Sequence, residues 1–93
     1  MDVEIHTHSG SIYRVARDPR GGWWMRAANV PNPTSPRLDP GRWWAIRRPR
    51  PWPPKLGQPI ELRASAHLAL DDPRRVPGGG KITSPIRIIR RRR

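Results

Sequence analysis

The chain has no cysteine, no phenylalanine, one tyrosine, two lysines, and only seven Asp plus Glu among 93 residues. Without cysteine there is no disulfide framework, no thiolate metal site and no cysteine nucleophile, so packing alone must stabilise the fold. A reducing, cytoplasmic setting suits such a chain. No apolar run approaches the roughly 18 residues needed to span a bilayer. The opening Met1-Asp2-Val3-Glu4 lacks the basic-then-apolar order of an export signal, so no membrane partner is expected. No nucleophile–base motif is present, and Gly78-Gly79-Gly80-Lys81 lacks the spacing of a phosphate loop. These absences point to a non-catalytic protein without a cofactor.

Large aliphatic residues are scarce too. Leu, Ile, Val and Phe make up 17 of 93 residues, which together with the charge approaches the composition of disordered chains. Five tryptophans act against this, because each buries a large rigid area at small rotamer cost. At this length the chain buries roughly 60–65% of its unfolded surface, enough for one modest core and one domain.

What is abundant is arginine, seventeen against two lysines, and proline, thirteen. A GC-rich genome accounts for Arg over Lys better than for the scarcity of acids. The net charge of +12 is lopsided: residues 1–41 hold five basic and four acidic side chains, residues 42–93 fourteen and three. Such asymmetry is the footprint of a surface for polyanions; the competing explanation is a basic segment that aids solubility.

The opening segment reads as a β-hairpin. With His8-Ser9-Gly10 as a three-residue loop and Gly10 left-handed, Ile5 faces Tyr13, Val3 faces Val15 and Glu4 lies opposite Arg14. A two-residue loop would set Ile5 against Arg14 and is rejected. After the turn signal Asp18-Pro19-Arg20-Gly21-Gly22, strands are expected from Trp23 and from Trp43. Residues 30–42 and 49–59, with four and five prolines, read as loops, the second extended and either a loop or an exposed arm. The apolar even positions of 60–70 predict a strand, although a short helix after Pro59 also fits. A last strand is expected from Lys81 towards Arg90, with Ile82, Ile86 and Ile88 on one face. Pro85 makes it an edge strand or a bulged one. Residues 1–89 form the predicted domain, and residues 90–93 are expected to leave it as a basic tail. The fold class is mostly β: a small antiparallel β-barrel or curled sheet of about six short strands with long Pro/Gly-rich loops.

The VEIHTHSGSIYRV hairpin (3–15) and the GKITSPIRII strand (80–89) resemble the two ends of small uncharacterised β-rich proteins of actinobacteria and their bacteriophages. The likeness covers about a quarter of the chain. It implies a GC-rich bacterial or viral source and a small β fold, carries no activity with it, and makes action on a host complex, in the host cytoplasm, the expectation for a phage protein.

Strand alternation turns Trp24 and Arg26 outward if Trp23 and Met25 face inward, and Trp43 and Arg47 outward if Trp44 and Ile46 face inward. Bases stack on exposed indole and guanidinium planes while arginine meets phosphate. The alternative is that these tryptophans all belong to the core of a chain that has no phenylalanine. Residues 42–55 add five positive charges, three Trp and no acid. The expected binding residues are Trp24, Arg26, Arg42, Trp43, Arg47, Arg48, Arg50, Trp52, Lys55, Arg87, Arg90, Arg91, Arg92 and Arg93. His6 and His8 lack a third ligand, so no metal site is expected. The expected partner is RNA or DNA, within a host ribonucleoprotein or polymerase complex if the chain is phage-encoded, bound largely without sequence readout. The alternative is a protein-binding inhibitor or adaptor whose Trp and Arg residues engage an acidic protein surface.

Overall fold

Alternation of Val3, Ile5 and Thr7 with Asp2, Glu4 and His6 makes β1 (Asp2–Thr7) a strand with one buried and one polar face. It folds back on β2 (Ile12–Arg17) in the expected register, Val3 opposite Val15, Glu4 opposite Arg14, and Ile5 opposite Tyr13. Gly10 takes φ 88°, the left-handed conformation that closes a three-residue loop. The computed structural model describes residues 2–29 and 42–92; the loop expected over 30–42 lies outside the described residues except for Arg42.

Beyond the turn, β3 (Trp23–Asn29) pairs with β2, and β4 (Trp44–Ile46) pairs with β3. Asp18 builds that turn: its Oδ1 accepts from the amides of Arg20 and Gly22 at 2.8 and 2.9 Å. Then follow β5 (Glu61–Arg63), a 3₁₀ turn (Pro77–Gly79), β6 (Gly80–Ile82) and β7 (Ile86–Arg92). The larger sheet is antiparallel with order β4-β3-β2-β1-β7, and β5 and β6 form a second, two-stranded sheet. Among the described residues the sheets do not close into a barrel. Isolated bridges link them instead, Ile46 to Ala64 and Arg50 to Glu61.

The core lies between the sheets. Val3, Ile5, Tyr13, Val15, Met25, Ala27, Trp44, Ile46 and Ile86 from the large sheet are covered by Ile60, Leu62, Ala64 and Val76. Trp23 and Trp52 extend it, meeting edge to face with ring centroids 4.9 Å apart.

Four expectations are corrected. Neither a full strand nor a helix forms over 60–70. The ladder with β6 ends at Arg63, Ala64 adds one bridge to Ile46, and turns closed by Leu68 N to Ser65 O and Asp72 N to Ala69 O follow, leaving Leu70 exposed. The last strand is two strands in two sheets, because Pro85 has no amide to continue a ladder. Ile82 is consequently exposed, and a register shift between His6 and Thr7 sets Ile88 opposite His6 on the outer face and Ile89 opposite Ile5. Residues 49–59 are no exposed arm: Pro49 and Pro54 are buried, and Arg50 exchanges backbone hydrogen bonds with Glu61. Finally, Arg90, Arg91 and Arg92 are not a tail but continue β7, opposite Glu4, Val3 and Asp2. Pairing with β1 engages alternate backbone groups of this edge strand, and alternation brings Arg90 and Arg92 to the side of β1 that carries its acids. Arg93 lies outside the described residues.

Candidate functional site

Strand pairing carries the outer face of the large sheet across its whole width. One cross-strand row runs Arg90, Glu4, Arg14, Arg26, and the next runs Arg92, Asp2, Ala16, Trp24, Ala45. Trp24 and Arg26 thus face outward while Met25 is buried, and Trp43 flanks buried Trp44. This is the orientation that the alternation of residue types predicts. Trp24 and Trp43, both half-buried, line one apolar, open groove of about 370 Å³ with Ala16, Arg17 and Asp18. The Trp24 indole is held there by its N–H, which donates to Asp18 Oδ2 at 2.9 Å. The Arg14 guanidinium lies over the Trp43 ring, 5.6 Å from its centroid, within the range of a cation–π contact.

The carboxylates of this face are already engaged. Asp2 accepts from Arg14, and Glu4 accepts from His6 Nε2 at 2.9 Å and from Arg92 at 3.2 Å. The hydrogen bond from His6, joined by the charges of Arg92 and Arg90, holds the Glu4 carboxyl below its usual range against the cost of desolvation. Hydrogen bonds from Trp24 and the Gly22 amide hold Asp18 low in the same way. Arg26 forms no ion pair among the described residues, and its Nε is buried without a hydrogen-bond partner. It sits directly opposite Arg14, an arrangement of like charges that costs stability.

A second basic site lies where the Pro-rich segment meets β5. Arg47, Arg48, Pro49, Arg50, Trp52, Glu61 and Arg63 line a cavity of about 450 Å³. Arg47 is positioned by its Nε, which donates to Ala64 O at 3.1 Å, and Arg63 Nε donates to Glu61 Oε1 at 2.8 Å. Arg48 and Arg50 are exposed and form no ion pair among the described residues.

The expected binding residues therefore fall into three groups. Trp24, Arg26, Trp43, Arg90 and Arg92 share the outer face. Arg47, Arg48, Arg50 and Trp52 share the cavity, joined by Arg63, which the sequence reading missed. The β5 alternation of Glu61 and Arg63 about buried Leu62 was the available signal, diluted by the longer strand expected there. The remainder stand apart. Arg42 is committed to the fold, its guanidinium stacked 4.5 Å from the Trp44 ring centroid and donating to Pro73 O. Lys55, Arg87 and Arg91 are exposed elsewhere.

His6 is bonded to Glu4, and His8 sits in the hairpin loop rather than beside it in the strand. Among the described residues no group of three or more His, Asp or Glu side chains could hold a metal ion, and no helix is long and apolar enough to cross a membrane. Compared with protein-family models, curated proteins and solved structures, the chain matches none.

Proposed function

We propose that this chain is a non-catalytic accessory protein that binds RNA or DNA, largely without regard to sequence, on the Arg/Trp surface of its curled sheet. The observation that carries this reading is the juxtaposition of Arg26 with Arg14 on a face that also presents Trp24 and Trp43. Two guanidinium groups opposite one another, one of them without an ion pair among the described residues, are relieved by an anion. A phosphate supplies that anion, while the indoles offer π-faces to bases. On this reading the open five-stranded sheet is the platform: the second sheet is attached through the bridges Ile46 to Ala64 and Arg50 to Glu61, and the basic outer side faces the polyanion. Asp2 and Glu4, the acids of the two cross-strand rows, are paired with Arg14 and with Arg92, whereas Asp18 beside the groove is hydrogen-bonded to Trp24 and keeps its charge. A nucleoprotein complex, such as a polymerase or ribosome, supplies the same chemistry.

The test is Trp fluorescence during titration with single-stranded DNA, duplex DNA and RNA at about 0.1 M and about 0.5 M salt, on the wild type and on Arg26→Gln/Arg90→Gln. We expect quenching by a nucleic acid at the lower salt, and a slope of log affinity against log salt that is shallower by about 1–2 in the variant. Equal slopes would remove this face from the site. Binding that disregards strand type and vanishes at the higher salt would reduce the result to attraction by the +12 charge, and would direct attention to an acidic protein surface.

A further inference from the structure

The cavity between segment 47–52 and β5 differs in kind from the outer face. It is concave, it is more enclosed than the groove at Trp24 and Trp43, and its volume of about 450 Å³ lies within the roughly 300–1,000 Å³ of small-molecule sites. Its lining divides chemically. Arg47, Arg48 and Arg50 bring three guanidinium groups with no carboxylate partner among the described residues. Glu61, the cavity's one acid, is bonded to Arg63, so its charge is compensated and does not repel an anion. Trp52 and Pro49 supply apolar surface in the same wall. Trp52 is held by its edge-to-face contact with Trp23, which fixes the indole before any ligand arrives and lowers the ordering cost of stacking.

We propose that this cavity is a mononucleotide subsite, in which Arg47, Arg48 and Arg50 hold a phosphate and the base lies against Trp52. The assignment rests on the nucleic-acid reading above and narrows it. A base can enter such a cavity only when unstacked, so the site selects single strands or free nucleotides over duplex. Stacking on an indole is tolerant of base identity, whereas the fork geometry of arginine suits phosphate oxygens. Arg48 and Arg50 reach the phosphate from exposed positions, and Arg47 is oriented by its bond to Ala64 O.

The experiment is isothermal titration of the full chain with adenosine 5′-monophosphate, ribose 5-phosphate and inorganic phosphate, accompanied by Trp fluorescence. It is repeated for Arg48→Ser/Arg50→Ser and for the charge-matched Arg87→Ser/Arg91→Ser, whose residues lie on β7 outside the cavity. All four positions are exposed, and coincident urea unfolding curves confirm the folds. We expect the monophosphate to bind more tightly than ribose phosphate, with fluorescence quenching, and to lose about tenfold or more in the first variant and less than about twofold in the second. Equal binding of the three ligands, equal losses in the two variants, or no binding by the wild type would each overturn the subsite. A parallel titration with single-stranded and duplex oligonucleotides identifies the source. Tighter binding of the single strand, lost in the first variant, places the nucleotide within a strand, and mononucleotide binding without oligonucleotide binding makes it a free nucleotide. Oligonucleotide binding that leaves the first variant unaffected, with no mononucleotide bound, sinks the subsite but spares the outer-face reading.

Discussion

Single atoms set several of the tightest constraints in this molecule. Gly80 opens β6 at φ 108°, and a Cβ there would lie 2.2 Å from Leu62 O and 2.5 Å from Arg63 Cα. Gly57 also has positive φ, 80°, but its Cβ would meet nothing within 4 Å. The pair separates two costs that usually come together. Gly57→Ala should lose only the left-handed backbone penalty, about 1 kcal/mol. Gly80→Ala adds a collision with the partner strand's backbone and should lose about 2–4 kcal/mol. Urea midpoints of the two variants check this, and equal losses would show that β5 moves aside at little cost. Asp18 works at the same scale, one carboxylate ordering a turn and the outer-face Trp24 indole together.

At the scale of elements, the weak points are the joints between strands. Thr83, only 6% exposed, sits in the break between β6 and β7. Its amide donates to Ile60 O at 3.0 Å, and its Oγ1 accepts from Ile60 N at 3.1 Å and donates to Ser84 O at 2.8 Å. One side chain thus ties the approach to β5 onto the bend that redirects the chain into the large sheet. Thr83→Val keeps the shape but leaves the buried Ile60 amide unpaired, so a loss of about 1–3 kcal/mol is expected in chemical denaturation. Thr83→Ser keeps the hydroxyl and loses a methyl group, and should cost less. If serine proves the more damaging replacement, packing rather than the hydrogen bond governs the joint. The long β7 ladder against β1 depends on this bend being held.

For the whole molecule, the few acids matter more than their number suggests. Asp72 is held down to about 2 by the Arg74 side chain and amide, and Glu4 and Asp18 are lowered by hydrogen bonds from His6 and Trp24. A carboxyl whose folded pKa lies below its unfolded value stabilises the fold above the unfolded value, about 4. That stabilisation is lost as pH falls through the folded value. The loss therefore runs from about pH 4.5 towards about 2, and protonation of the acids also raises the self-repulsion of a chain already at +12. Thermal unfolding at pH 7, 4.5 and 2.5 should show little change over the first interval and a marked fall in Tm over the second. A constant Tm down to pH 2.5 would mean that these pairs persist equally in the unfolded chain.

The sequence by itself determined the features that depend on neighbours in the chain. Alternation and the three-residue His8-Ser9-Gly10 loop fixed the register of β1 with β2, because a one-residue slip would turn every apolar side chain to water. With Met25, Trp44 and Ile46 inward, the same periodicity set Trp24, Arg26 and Trp43 on the outer face; it also set Arg47 beside Trp43, but β4 ends at Ile46 and Arg47 turns into the cavity with Arg48 and Arg50. Pro85 announced an edge or an irregularity. Tertiary structure alone decided the rest. That 90–92 extend a sheet follows from the company of Asp2 and Glu4, more than eighty residues away, which no local pattern encodes. Packing against Trp23 converted the Pro-rich segment into the wall of a cavity, and an extra residue in β7 between Ile86 and Ile88 gave Ile89 the place that strict alternation reserves for Ile88. Residues 60–70 show the same limit: the apolar period continues to Leu70, but the partner strand is three residues long, and without a partner an extended segment folds into turns.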